Sequence, residues 1–280
     1  MRIRSTECEH EFTKRLFDEL GAYSLQGLTM SSHHGWTAAI EAIQFDDNED
    51  ILLDNIFDKN SLRAKFSLAN VVNVPFFIIA YKKGTYNIYE VSKPRADFIL
   101  TKKKEFCEEG FIDWWRSNKG TEPTKDFNNG AQNRADRTIF DVVLERHGLS
   151  WGGNIDGFIF RKGKLGCIIE NIYTYRHPLD TPEGEPSKYF FKRGPNYNTW
   201  YSSVKLAYDL SVPLFLFTIN GNTNKERIGF TIIDHLNSEG IYYKDDILPN
   251  DNVISGIKNI VNEVNSHIAT IPYIEKDGYR

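Results

Sequence analysis

Two stretches of this chain follow one plan, and that repetition constrains the fold more than any single motif. In SLRAKFSLANVVNVPFFIIAY (61–81), Leu62, Phe66, Ala69 and Val72 fall at helical spacing; Val74-Pro75 then interrupts, and Phe76 to Ile79 form an apolar run. In TWYSSVKLAYDLSVPLFLFTI (199–219), Trp200, Val204, Ala207 and Leu210 take the helical stripe, Val212-Pro213 the break and Leu214 to Phe217 the run. A helical period stopped by proline and followed by a short apolar block predicts a helix leading into a buried strand. Leu-Ala and Val-Pro recur at the same offsets in both.

The parallel extends upstream and downstream. CIIENIYT (167–174) and AAIEAIQF (38–45) each carry Ile-Glu-x-Ile inside an apolar strand. Helical stretches precede both, at 9–23 and 134–149, and each ends near a glycine, Gly21 or Gly148, as helix C-termini often do. Each half then adds a further strand, YNIYEV (86–91) or RIGFTII (227–233). The expected architecture is therefore α/β, as two tandem related domains at 1–115 and 137–280, joined by a polar linker at 116–136. The segment 96–115 reads as a bridging helix with Trp114 and Trp115 as its packing residues.

The second half contains NIDGFIFRKGKLGCIIENIYTY (154–175), two strand-like runs around Arg161-Lys162-Gly163-Lys164. Glycine supplies the backbone freedom a tight hairpin needs. Asp156 lies seven residues before Gly163 and Glu170 seven after it, so the hairpin predicts that they face each other across the strands. Directly opposed side chains have Cβ atoms about 4.5–5.5 Å apart. Two facing carboxylates repel, and an unpaired charge inside an apolar strand is expensive. A cation must lie between them. Either a hard divalent ion takes the two carboxylates plus waters, as magnesium does, or a lysine or arginine bridges them as a structural network.

On these residues the chain resembles the PD-(D/E)XK nuclease superfamily, the restriction-endonuclease-like fold of a mixed β-sheet flanked by helices. Asn154-Ile155-Asp156-Gly157 matches the aspartate motif, with Ile155 in the place of proline, and Glu170-Asn171-Ile172 matches Glu-x-Lys. The resemblance covers about 134–233, with 9–91 as a degenerate echo. It implies a magnesium-dependent endodeoxyribonuclease in which Asp156, Glu170 and the Asn171 carbonyl hold the ion. A glutamate of the first helix often approaches the same metal in this family, which points to Glu145, or to Asp141 one turn earlier. The family's lysine activates the attacking water, and here Ile172 stands in its place. Lys205 on the following helix is the expected catalytic substitute, with Lys188 and Lys192 in the intervening loop as alternatives. In the N-terminal copy Glu41 keeps the strand position, but Thr29, Met30 and Ser31 occupy the region where an aspartate would stand. That copy is expected to have lost its metal and to supply surface. Adjacent strand residues point to opposite faces, which argues against a shared ion at His33 and His34.

The expected partner is double-stranded DNA, bound by a monomer with two pseudo-equivalent domains or by a homodimer. The net charge of −4 gives no overall basic field, so phosphate contacts must come from a local cluster. The loop 175–198 offers Arg176, His177, Lys188, Lys192 and Arg193. The same acidic balance, together with Ile172, supports an alternative: a catalytically inactive pseudo-nuclease serving as a DNA- or protein-binding module. No phosphate loop, dinucleotide glycine signature or Gly-x-Ser-x-Gly points to another α/β enzyme. Three cysteines without close spacing, no signal-like N-terminus and no apolar run of about 18 residues predict a cytoplasmic protein without a membrane span.

Overall fold

The structure is a computed structural model that describes residues 2–3, 11–31, 35–44, 57–82, 84–95, 97–119, 139–149, 153–174, 195–220, 227–237, 240–243 and 271–274. The first half runs β1 (Arg2–Ile3), α1 (Glu11–Leu20), β2 (Ala22–Met30), β3 (Trp36–Gln44), α2 (Lys59–Val72), β4 (Phe76–Lys82), β5 (Thr85–Ser92), β6 (Ile99–Phe106) and α3 (Glu108–Lys119). The second runs α4 (Ile139–Arg146), β7 (Gly153–Arg161), β8 (Lys164–Thr174), α5 (Pro195–Asp209), β9 (Leu214–Asn220), β10 (Arg227–Asn237), β11 (Gly240–Tyr243) and β12 (Tyr273–Ile274). The fold is α/β, and the chain divides into two compact units: Met1–Thr6 with Leu25–Asn154, and Glu7–Ser24 with Ile155–Arg280.

Each unit has a mixed sheet of the same order. In the first, β2 and β3 are antiparallel, β3 and β4 parallel, and β5 and β6 follow antiparallel. In the second, β7 and β8 are antiparallel, β8 and β9 parallel, and β10 and β11 follow antiparallel. Short strands join the margins, β1 on β3 and β12 on β10. A parallel pair needs a crossover, and the two Val-Pro stretches supply it as α2 and α5.

Both crossover helices end alike. Asn73 at φ 62° and Ser211 at φ 53° take the left-handed conformation. Val74 N–H donates to Ala69 O and Val212 N–H to Ala207 O, each at 2.9 Å, while Asn73 and Ser211 N–H reach the carbonyls of Asn70 and Tyr208 at 3.0 Å. This paired closure satisfies the last orphan carbonyls of a helix. The proline that follows cannot continue the helix, and its carbonyl instead accepts from the parallel neighbour: Ala39 N–H to Pro75 O at 2.9 Å, Ile168 N–H to Pro213 O at 3.0 Å.

The N-terminal helices of the two halves are exchanged. Leu16, Phe17 and Leu20 of α1 are buried with Ile159, Cys167, Ile169, Phe215, Phe217 and Ile232, which is the core of the second unit. Phe140, Val143 and Leu144 of α4 are buried with Ile40, Ala42, Ile79, Tyr81 and Ile88, in the core of the first. A division at 116–136 is therefore not how the chain packs: 116–119 closes α3 in the first unit, and 120–136 lie outside the described residues. The physical reason is that apolar burial is non-directional. Either helix presents a stripe that suits either sheet, and only the long-range path of the chain decides between them.

A second difference falls at 96–115. Ile99–Phe106 is a strand, not part of a bridging helix, and the helix starts only at Glu108. Seven register pairs from Tyr86↔Phe106 to Ser92↔Ile99 hold β6 on β5. Its exposed Lys102, Lys103 and Lys104 suit a terminal strand, where charges discourage further pairing. Trp115 packs as expected, fully buried with its ring 5.7 Å from Phe111 and 5.8 Å from Phe140.

Candidate metal centre

The hairpin β7–β8 turns at Lys162 and Gly163, whose φ values of 50° and 78° are both positive. That is a two-residue turn of the primed type, closed by Arg161 opposite Lys164. Its centre lies between residues 162 and 163, which alone would set Asp156 against Ile169. A bulge restores the pairing. The register shifts between Ile159 and Phe160, leaving Gly166 as the extra residue, and Gly157 then stands opposite Ile169. Asp156 and Glu170 follow as the next facing positions. Their carboxyl groups meet in a hydrogen bond.

The ladder opens there. Asn171 N–H donates to the Asp156 carboxylate at 2.8 Å, taking a side-chain acceptor where a backbone carbonyl would otherwise stand. Glu170 is 6 % exposed, and the Ser203 hydroxyl of α5 donates to its Oε1. Asp156 is half-buried. Burial first, and the charge of Asp156 second, push the Glu170 carboxyl well above the usual carboxylate range; the Ser203 hydrogen bond works the other way. Among the described residues no lysine or arginine forms an ion pair with Glu170. A proton or an added cation must therefore balance the pair.

The first unit opens its hairpin at the same register. Gly27 stands opposite Ile40, as Gly157 does opposite Ile169, and a bulge between Thr29 and Met30 leaves Thr37 where the second unit has Gly166. The next facing positions hold Gln26 and Glu41. Ala42 N–H donates to Gln26 Oε1 at 2.8 Å, the counterpart of Asn171 N–H on Asp156. Gln26 N–H donates to Glu41 Oε1 at 3.1 Å. From α2, the Lys65 ammonium lies 2.7 Å from the same oxygen, with side chains 4 % and 1 % exposed. Lys65 stands four residues before Ala69, and Ser203 four before Ala207. The two helices thus aim corresponding positions at corresponding glutamates.

Other expected residues fall elsewhere. Lys205 ion-pairs with Asp209 at 2.7 Å, and the α5 residue that reaches Glu170 is Ser203. Positions 203 and 205 are about 200° apart around a helix, so one faces the sheet and the other turns away. Glu145 is half-buried on α4, whose apolar face packs into the first unit's core rather than opening the second, and the Asp141 side chain lies outside the described residues. The Ile172 backbone continues β8, but its side chain is outside the described residues, as are Arg176, His177, Lys188, Lys192, Arg193, His33 and His34. Asn171 Oδ1 is buried with no hydrogen-bond partner. Strand alternation turns that side chain to the face opposite Glu170.

The sequence reading missed Gln26, Lys65 and Ser203. The counterpart of Asp156 is Gln26 rather than Thr29, Met30 or Ser31. The α5 signal was present: the apolar stripe of Trp200, Val204 and Ala207 already places 203 on the packed face and 205 off it. A search for lysine alone passed over it.

The donor set fits a hard cation in kind: two carboxylates, one desolvated, each held by a hydrogen bond. Among the described residues no group of three or more His, Cys, Asp or Glu converges as a metal cluster. Two protein carboxylates with waters is a magnesium-like arrangement. No helix among the described residues is long and apolar enough to cross a membrane. Compared with protein-family models, with curated proteins and with solved structures, the chain matches none.

Proposed function

We propose that the second unit is a magnesium-dependent endodeoxyribonuclease of the restriction-endonuclease-like type, and that the first unit is its degenerate copy. The observation that carries this is the meeting of Asp156 and Glu170 at an opened hairpin, with Glu170 buried and no basic partner to it among the described residues. The recurrence of sheet order, bulge, helix cap and hairpin opening supports descent of the two units from one ancestor.

In this reading Asp156 and Glu170 hold the ion, together with the Asn171 carbonyl. Bound there, magnesium would supply a Lewis acid for the scissile phosphate and a water of lowered pKa. The chain's own part is positional. Asn171 N–H fixes the Asp156 carboxylate and the Ser203 hydroxyl fixes Glu170, so that both acids are oriented before an ion arrives. Contacts with DNA phosphates fall to the basic loop 176–193, and binding weakens steeply with added salt.

One observation favours a second reading, a binding module without cleavage. Neither lysine position is filled: Ile172 takes the strand site, and Ser203 rather than Lys205 touches Glu170. Plasmid DNA incubated with and without magnesium or manganese separates the two. Cleavage that needs the ion and falls by at least about 100-fold in Asp156→Asn supports the nuclease. Cleavage surviving that substitution removes the site from Asp156. DNA retained without cleavage under either ion leaves the binding module.

A further inference from the structure

The two opened hairpins keep one geometry and differ in charge. In the first unit a neutral Gln26 faces Glu41, and the Lys65 ammonium neutralises the glutamate within a site whose three side chains are 0 %, 1 % and 4 % exposed. In the second unit an aspartate replaces the glutamine and a serine replaces the lysine. The first change adds a negative charge and the second removes a positive one. Together they turn a neutral site into one lacking two positive charges, with a hydroxymethyl group where a lysine chain would lie. Neither change alone would do so: aspartate with lysine leaves one charge to balance, and glutamine with serine leaves one.

We infer that Lys65 is a built-in cation occupying, in the first unit, the place that an exchangeable divalent cation takes in the second, so that the helix residue at 65 or 203 decides whether the site is self-filled or open. This rests on the metal reading of Asp156 and Glu170. Lys65 is also enclosed on its other side, with its ammonium 5.4 Å from the centre of the Phe57 ring, an arrangement that favours a fixed cation. Burying an ammonium costs several kcal/mol unless it is paired at good geometry. The 2.7 Å contact to Glu41 meets that condition. Ser203, by contrast, donates one neutral hydrogen bond, which orients Glu170 without supplying charge.

The test is titration of the full-length protein with magnesium and with manganese, by calorimetry and by thermal shift, in the wild type and three variants. Wild type takes up one ion per chain. Ser203→Ala still takes one, about tenfold more weakly, because only an orienting hydrogen bond is lost. Ser203→Lys takes none, and its melting temperature no longer responds to either ion. Gln26→Asp with Lys65→Ser takes two, the second ion being new. This last variant keeps the inference falsifiable if Ser203→Lys does not fold. A wild type that binds no divalent ion overturns the metal reading itself. A wild type that binds one while Ser203→Lys also binds one, or the double variant stays at one, overturns only the assignment to position 65 or 203.

Discussion

The packing of α1 on the second unit can be tested at Gly157. A Cβ built there would lie 2.9 Å from Phe17 Cζ, 3.0 Å from Phe17 Cε2 and 3.0 Å from Ile169 Cβ. Ile169 is the cross-strand neighbour and its Cβ belongs to the sheet, so it cannot move aside. Phe17, 8 % exposed, is wedged in the core and has little room to give. Replacing glycine by alanine stiffens the unfolded chain, which favours folding by about 0.4–1 kcal/mol. Overpacking a filled core costs about 1–3 kcal/mol, so the clash wins and Gly157→Ala is net destabilising. Phe17→Ala alone costs about 3–5 kcal/mol, as buried phenylalanine deletions do. In the double variant the two closest atoms are gone, and only the Ile169 contact remains. The losses should then fall short of additivity by about 1–2 kcal/mol, within the range for residues in contact. Urea unfolding gives the three free energies. Hydrogen exchange shows where they act: protection should fall in β7, β8 and β9 and stay in β4 and β5. Additive losses, or loss of protection in β4 and β5, would refute the packing of α1 on the second unit.

Two further outcomes follow from the same geometry. Because the folded Glu170 carboxyl is raised by burial and by Asp156, its contribution to stability is fully present below the ordinary carboxyl pKa of about 4.3 and is lost as pH rises through the folded value. In chelator the wild type should therefore lose melting temperature with rising pH relative to Glu170→Gln; magnesium should remove the difference, and its binding should release a proton, read as a buffer-dependent enthalpy. An equal slope in both proteins would contradict the assignment. At the hairpin, Lys162 carries φ 50°, which asparagine tolerates better, so Lys162→Asn should stabilise by about 0.5–1 kcal/mol in urea unfolding, with no change in magnesium uptake.

Sequence alone determined those features whose physics is local. The helix stripe, the Val-Pro break and the apolar run appear at both places because each needs only neighbouring residues to be satisfied. The facing of Asp156 and Glu170 was also legible, although its route was not. The turn centres half a residue earlier than Gly163 alone implies, and the bulge at Gly166 shifts the register back. A bulge depends on how two strands twist together, and no single strand carries its signature.

Tertiary structure decided what depends on distance along the chain. It assigned α1 to the second sheet and α4 to the first, because apolar stripes carry no address. It made 99–106 a strand, because pairing with β5 satisfied a backbone whose side chains had no preference strong enough to object. It also set Gln26 opposite Glu41 and brought Lys65 or Ser203 onto the glutamate, since a buried charge is balanced only by whichever group the packed helix carries to it.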